Sequence, residues 1–277
     1  MKLSVMLFPY FGKLCKGEIT PAELVKTFAS WGVRGLEPML SQDEKEPKIA
    51  AEIQAAMADF GMVNTCLDRG VNLIGTCEAD RVAALDSAKR ALDLARDVLK
   101  CKRVMLHGTK PSEGMSTEDG LKIYGEMLRK AGEYSKGSGV KFCIENFGVY
   151  PTFAASSKNC KIVLDYAGPE VGFTFDNGNF LLGDDTPAHA FEVMKDKICH
   201  VHLKDFAVRK EGQTGGIASA SGVYYVDCPM GAGVGEIANC VKLLKAAGYQ
   251  DWMSLEVGME PISNGKAGAD LVLAAWG

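Results

Sequence analysis

Glu145, Asp176, His202 and Glu256 each lie at or near the end of a short apolar run in the second half of this 277-residue chain. Side chains along a strand alternate between two faces. In Lys141-Phe142-Cys143-Ile144-Glu145, Phe142 and Ile144 share one face and Glu145 takes the other. Phe173-Thr174-Phe175-Asp176 and Met253-Ser254-Leu255-Glu256 keep the same parity. In His200-Val201-His202-Leu203-Lys204, Val201 and Leu203 oppose both histidines and the lysine. Three carboxylates brought together repel one another, and they stay ionised if a cation sits among them. Three oxygen donors and one imidazole suit a single divalent ion, with Mn²⁺ first and Mg²⁺, Co²⁺ or Zn²⁺ as alternatives. Any one of these residues alone reads as a polar cap on a strand end. Their recurrence on four consecutive runs favours the metal site.

Val104-Met105-Leu106-His107 has the same parity. His107 could bind substrate hydroxyls, move protons, or be a satisfied polar residue. Glu37 could reach a substrate or orient a ligand. Lys204 could stabilise an oxyanion or pair with a carboxylate. His200 shares a face with His202 one layer deeper and reads as an interior histidine supporting the site, while His189 reads as a surface residue. Gly231-Ala232-Gly233-Val234-Gly235-Glu236 lacks the Gly-Lys-Ser/Thr of a P-loop, so it reads as a flexible loop with backbone N–H groups available to a polar ligand. Nucleophilic catalysis has little support, since there is neither a Gly-x-Ser-x-Gly elbow nor a candidate Cys–His pair.

These residues need strands to carry them. Strands are expected at Leu3–Phe8, Gly35–Leu40, Met62–Asp68, Arg103–His107, Val140–Glu145, Val171–Asp176, Ile198–Lys204 and Trp252–Glu256, with helices between. Thr20-Pro21-Ala22-Glu23 is a capping box with proline at the first helical position, and Leu24, Val25, Phe28 and Ala29 stripe the helix up to Gly32. Ile49, Ile53, Met57 and Phe60 stripe the second helix, and Ile237, Val241, Leu244 and Ala247 the seventh. Eight such units predict an α/β chain folded as a (β/α)8 TIM barrel, one domain over residues 1–277. Barrel sites form at the C-terminal ends of the strands, where the polar residues fall. Phe206–Met230, rich in Gly and Ser, is the longest irregular segment and reads as a lid or a disordered loop.

The composition is 47% hydrophobic, with 31 basic and 35 acidic residues and a net charge of −4. That balance gives no reason to expect nucleic acid or an anionic membrane as partner. The first residues hold no signal-like or membrane-spanning run, and nine scattered cysteines without Cys-x-x-Cys suit a reducing compartment, so a cytoplasmic location is expected.

Ile144-Glu145-Asn146, Phe175-Asp176-Asn177-Gly178-Asn179, His200-Val201-His202-Leu203-Lys204-Asp205, the 231–236 loop and Ser254-Leu255-Glu256 resemble the xylose-isomerase-like TIM barrels, and within them the sugar phosphate isomerase/epimerase branch. The resemblance runs over nearly the whole chain. It places the family's metal ligands, a Glu, an Asp, a His and a Glu, on Glu145, Asp176, His202 and Glu256. Asn179 stands where ketose 3-epimerases tend to carry a histidine, which argues against that particular activity; Asn179 joins Glu37, His107 and Lys204 among the expected substrate contacts. The resemblance implies a divalent-metal-dependent isomerase or epimerase acting on a keto-sugar or related polyol through an enediolate held at the metal, with Glu145 and Glu256 as proton carriers. The alternative is a lyase or dehydratase on a keto-sugar, keto-glycoside or keto-cyclitol. A third reading is a metal-free sugar-binding barrel. The expected partner is a small sugar-like molecule, and a homo-oligomer is compatible with the sequence.

Overall fold

Short strands alternate with helices throughout the computed structural model, which describes residues 1–149 and 153–277. The strands in chain order are β1 (Lys2–Met6), β2 (Gly35–Glu37), β3 (Val63–Asn64), β4 (Leu67–Gly70), β5 (Arg103–His107), β6 (Lys141–Glu145), β7 (Val171–Asp176), β8 (Ile198–Leu203), β9 (Phe206–Val208), β10 (Ile217–Ala218), β11 (Tyr224–Asp227) and β12 (Trp252–Leu255). Nine of them form one parallel sheet in the order β3-β2-β1-β12-β8-β7-β6-β5-β4. Pairing of β1 with β12 joins the last unit to the first.

The sheet closes through its third unit, which is two pieces rather than the expected single run Met62–Asp68. β3 pairs with β2, and β4 pairs with β5. A bridge from Met39 to Asp68, with Asp68 N–H donating to Pro38 O at 2.9 Å, spans the remaining seam. The result is a (β/α)8 barrel of the α/β class. β2 stops at Glu37 instead of reaching Leu40, because Pro38 has no N–H to continue the ladder and a helix starts at Leu40. β1 stops at Met6, since Phe8–Cys15 is helical.

Two separate buried layers record the parity of the strands. Phe142, Ile144, Phe173, Phe175, Val201, Leu203, Met253 and Leu255 are all fully buried in the core between sheet and helices. Each such side chain stabilises the fold by about 1.5–3 kcal/mol. Inside the ring, Cys66, Met105 and Cys143 form their own cluster, with Cys199 packed against it. The alternate residues therefore point inward, and the carboxylates and imidazoles are among them.

The helices follow their end signals. Thr20 and Glu23 make the reciprocal capping box, and Leu24, Val25 and Phe28 turn inward. Gly32 follows at φ +83, a conformation that favours glycine. The second expected stripe is shorter than proposed: its helix is Pro47–Asp59, and Phe60 lies beyond the end and is 40% exposed. Segment 206–230 is irregular only in part. β9, β10 and β11 make a small antiparallel sheet in the order β10-β11-β9. Among the described residues, no helix is long and apolar enough to cross a membrane.

Candidate metal centre at the barrel mouth

β6 and β7 end on Glu145 and Asp176, His202 is the next-to-last residue of β8, and Glu256 follows β12. Parallel register sets them abreast, with Asp176 beside His202 and His202 beside Ser254. One donor atom from each of Glu145, Asp176, His202 and Glu256 lies within 4.8 Å of the other three. His202 Nδ1 is 3.5 Å from Glu145 Oε2 and 3.9 Å from Glu256 Oε2. Both Asp176 Oδ2 and His202 Nδ1 are buried without a hydrogen-bond partner. Unpaired buried polar atoms are costly unless something completes them. Two such atoms, converging with two more carboxylates at ligand spacing, fit a divalent cation.

The surrounding contacts fix these groups in place. Glu37 is fully buried and its two oxygens meet the two histidines, Oε2 with His200 Nε2 at 2.8 Å and Oε1 with His202 Nε2 at 3.0 Å. The contact holds His202 with Nδ1 toward the carboxylates, as the orienting role expected of Glu37 would require. Metal-binding histidines commonly have such a partner on their other ring nitrogen. Asn146 clamps the end of β7, donating from Nδ2 to Asp176 O at 2.9 Å and accepting from Asp176 N–H at 3.2 Å. Asn179 is fully buried; its N–H donates to Asp176 Oδ1 at 2.8 Å and its Nδ2 to Glu145 Oε2 at 3.4 Å. Lys204 Nζ donates to Glu256 Oε1 at 2.6 Å and Asn179 Oδ1 at 3.2 Å, and lies 3.2 Å from Asp176 Oδ2. Asn179 and Lys204 thus touch the clustered carboxylates directly.

Burial and mutual repulsion set the charges. Burial pushes Asp176 up to about 7, with Glu256 and Glu145 adding to the shift and Lys204 opposing it. Burial disfavours charge on Lys204, but Asp176, Glu256 and Glu145 outweigh it and raise its pKa. Burial also opposes the charge of Glu37, yet His200 and His202 beside it hold its carboxyl well below the ordinary range. His107 lies near but outside the four-residue group. Its pKa is lowered, chiefly by burial, its Nε2 has no hydrogen-bond partner, and its ring packs 5.8 Å from that of Phe147.

The model of the xylose isomerase-like TIM barrel family matches residues 25–274. The chain belongs to that family. Its fold recurs in solved structures of low sequence identity. One is the probable 3-DHS dehydratase AsbF of Bacillus anthracis, at 15% identity and TM-score 0.77, covering 99% of each chain. Another is the 3-keto-D-glucoside 4-epimerase YcjR of E. coli, at 15% identity and TM-score 0.71, covering 99% of this chain and 98% of that one. A third is the IOLI protein with a bound zinc atom, at 15% identity and TM-score 0.72, covering 99% of this chain and 96% of that one. No curated protein matches the sequence.

Within this family member, two features escaped the sequence reading. Asp68 in β4 is fully buried, neither carboxylate oxygen has a hydrogen-bond partner, and it groups with Glu37 and His202. Burial, with Glu37 beside it, pushes its carboxyl well above the ordinary range. A signal was present, since Cys66 and Asp68 share the inward parity opposite Leu67. The second feature corrects the 231–236 loop, whose N–H groups at 231–235 are already engaged. Gly231 and Gly233 donate to Asp205 Oδ2 at 2.8 and 3.0 Å, and Gly235 donates to Oδ1 at 2.9 Å. His200 and His189 lie as expected. His200 is fully buried, and His189 is exposed with Nδ1 2.6 Å from Asp185 Oδ1.

Proposed function

We propose that the protein is a divalent-metal-dependent isomerase or epimerase of a keto-sugar or related polyol. The observation that carries this reading is the convergence of Glu145, Asp176, His202 and Glu256 on one point, with His202 Nδ1 buried without a hydrogen bond and Asp176 Oδ2 met only by the Lys204 ammonium at 3.2 Å. Those four residues would hold the ion. A divalent ion bound there polarises a carbonyl and its neighbouring hydroxyl, which lowers the cost of removing the intervening C–H proton.

The chain's own groups perform the proton transfers. Glu145 projects from β6 and Glu256 from the end of β12, so the two carboxylates reach the cluster from separated strands. One accepts the proton from carbon and the other returns it to the opposite face or to the adjacent carbon. Lys204, within hydrogen-bond reach of Glu256, supplies an ammonium beside the developing oxyanion. His107, held neutral by burial, presents an unpartnered Nε2 to a substrate hydroxyl. Asp176 and Asn179 position, and Glu37 orients His202.

The lyase reading shares the first proton abstraction and differs only in expelling a leaving group. Structural neighbours include a 3-keto-D-glucoside 4-epimerase and a probable 3-DHS dehydratase, so both outcomes occur on this fold. The test is product analysis in deuterium oxide with metal-loaded protein and a panel of ketoses and keto-glycosides. An isomer or epimer carrying deuterium at the reacting carbon supports the proposal. An unsaturated product supports the lyase. No exchange and no product from metal-loaded protein contradicts both.

A further inference from the structure

A glycine-rich turn whose successive N–H groups converge on one point is a ready anion cradle, the form in which many proteins hold phosphate. The 231–235 turn has that form, and its anion is internal. Beyond the three glycine donors, Phe206 N–H donates to Asp205 Oδ1 at 3.0 Å. The fit is close: a methyl group at Gly233 would lie 2.3 Å from Asp205 Oδ1, and one at Gly235 would lie 2.8 Å from it. The glycines are therefore needed for the approach of this carboxylate. Four donors on a tethered, buried anion leave the cradle satisfied, and an incoming phosphoryl group would have to expel Asp205.

Among the described residues, the adjoining space gives an anion little charge to pair with. A cavity of about 440 Å³ lies between the mouth and the small sheet, with Phe8, Phe206, Ile217 and Met230 in its wall beside Asp227, Lys204 and Glu256. Among its described lining residues Lys204 is the single cation, and Glu256, Asp176 and Asn179 already surround its ammonium. Once a divalent ion is bound, that ion and Lys204 balance the three ligand carboxylates, and Asp227 leaves the cavity wall negative. A neighbouring cavity of about 640 Å³ shares Val149 and Ile217 with the first, and its described lining carries no charged side chain.

We propose that the site takes an uncharged substrate: a keto-sugar or keto-polyol without a phosphate, sulfate or carboxylate group. Its hydroxyls face the carboxylate cluster, and its carbon skeleton lies against Phe206 and Ile217. A phosphate dianion buried here would lose its hydration and meet, among the described lining residues, no cation other than the already paired Lys204. This inference rests on the reading of the site as one that handles sugars, and it narrows that reading to one substrate class.

The test compares matched pairs on the metal-loaded protein, each neutral ketose against its own phosphate ester, by turnover and by thermal stabilisation. Within a productive pair, the neutral member should exceed the ester at least about thirtyfold in kcat/KM. Equal or greater use of the ester overturns the proposal while leaving the isomerase reading intact. If neither member reacts, the isomerase reading fails, and stabilisation still decides the substrate class: protection by the neutral sugar supports it, and protection by the ester overturns it. Inorganic phosphate serves as a second probe. It should leave the melting temperature of the wild-type protein unchanged relative to chloride at equal ionic strength, and a clear rise would show an open anion site. Asp205→Ala, which empties the cradle, should gain stabilisation from phosphate. A folded variant without that gain would contradict the occupied-cradle argument.

Discussion

At the N-terminal floor of the barrel, charges have partners; at the C-terminal mouth, several polar atoms do not. On the floor, Arg103 pairs with Asp251, and Lys2 lies 3.9 Å from the same carboxylate. Above them comes the sulfur layer of Cys66, Met105 and Cys143, where the Thr174 hydroxyl donates to Cys143 Sγ at 3.3 Å. At the mouth, the carboxylates and imidazole crowd within 4.8 Å, and Asp176 Oδ2 and His202 Nδ1 make no hydrogen bond, the former being met only by the Lys204 ammonium. Both regions are built on the same strands, so the strand framework alone does not explain the difference. The floor satisfies its charges, and the mouth leaves buried polar atoms without hydrogen bonds at a cost in stability.

The contrast breaks most visibly at the two glutamates. Gln keeps one oxygen for a metal but cannot accept a proton. Glu145→Gln and Glu256→Gln should each lower kcat by about 10²–10⁴-fold while the metal content stays near that of the wild type. If one glutamate removes the proton, its variant should also lose deuterium exchange; if the other only returns it, its variant should exchange without forming product. Near-native turnover in both would reduce them to ligands and move the base to His107 or Lys204. Asp176→Asn should instead act through the metal and be partly rescued by excess ion.

The next effect separates the layers of the mouth. Loss of Glu37 as the partner of His202 should weaken metal binding by about 10–100-fold in Glu37→Gln, measured by titration. His202→Ala should lose far more affinity than His200→Ala, because only the former removes a donor from the cluster. Equal losses would show that depth in the barrel does not matter.

A smaller effect follows from pH. In the metal-free protein Asp176 is raised to about 7, chiefly by burial, so below that pH a proton competes with the ion for the carboxylate. Apparent metal affinity should therefore fall as pH drops from 8 to 6, and a flat profile would contradict the shift. The smallest effect belongs to the floor. Arg103→Met removes a pair whose acidic partner is one-third exposed, so it should cost only about 1 kcal/mol of stability. Its metal affinity should match the wild type.

Much of the framework was legible because strands of this kind repeat a simple signal. Phe142 and Ile144 opposing Glu145, or Val201 and Leu203 opposing His202, mark both the strand and its inward face. What the residues could not reveal depended on distant partners. Glu37 is 165 positions from His202, and nothing local to either shows that they meet. The third unit splits because it pairs with β2 at Val63–Asn64 and with β5 at Leu67–Gly70, a demand set by closure of the ring. The small sheet was missed because β10 has two residues and β11 four, with Tyr224 exposed, too short and too open to show periodicity. The 231–236 loop was misread because its ligand, Asp205, lies outside the loop.

The barrel mouth is proposed as a mononuclear divalent-metal site. Elemental analysis of the purified protein, paired with titration of Mn²⁺, Co²⁺, Mg²⁺ and Zn²⁺ into stripped protein, tests it most directly. The account predicts about one ion per chain, lost in His202→Ala and retained in Arg103→Met. Protein that holds no metal, binds none on titration and gains no activity on its addition would contradict it.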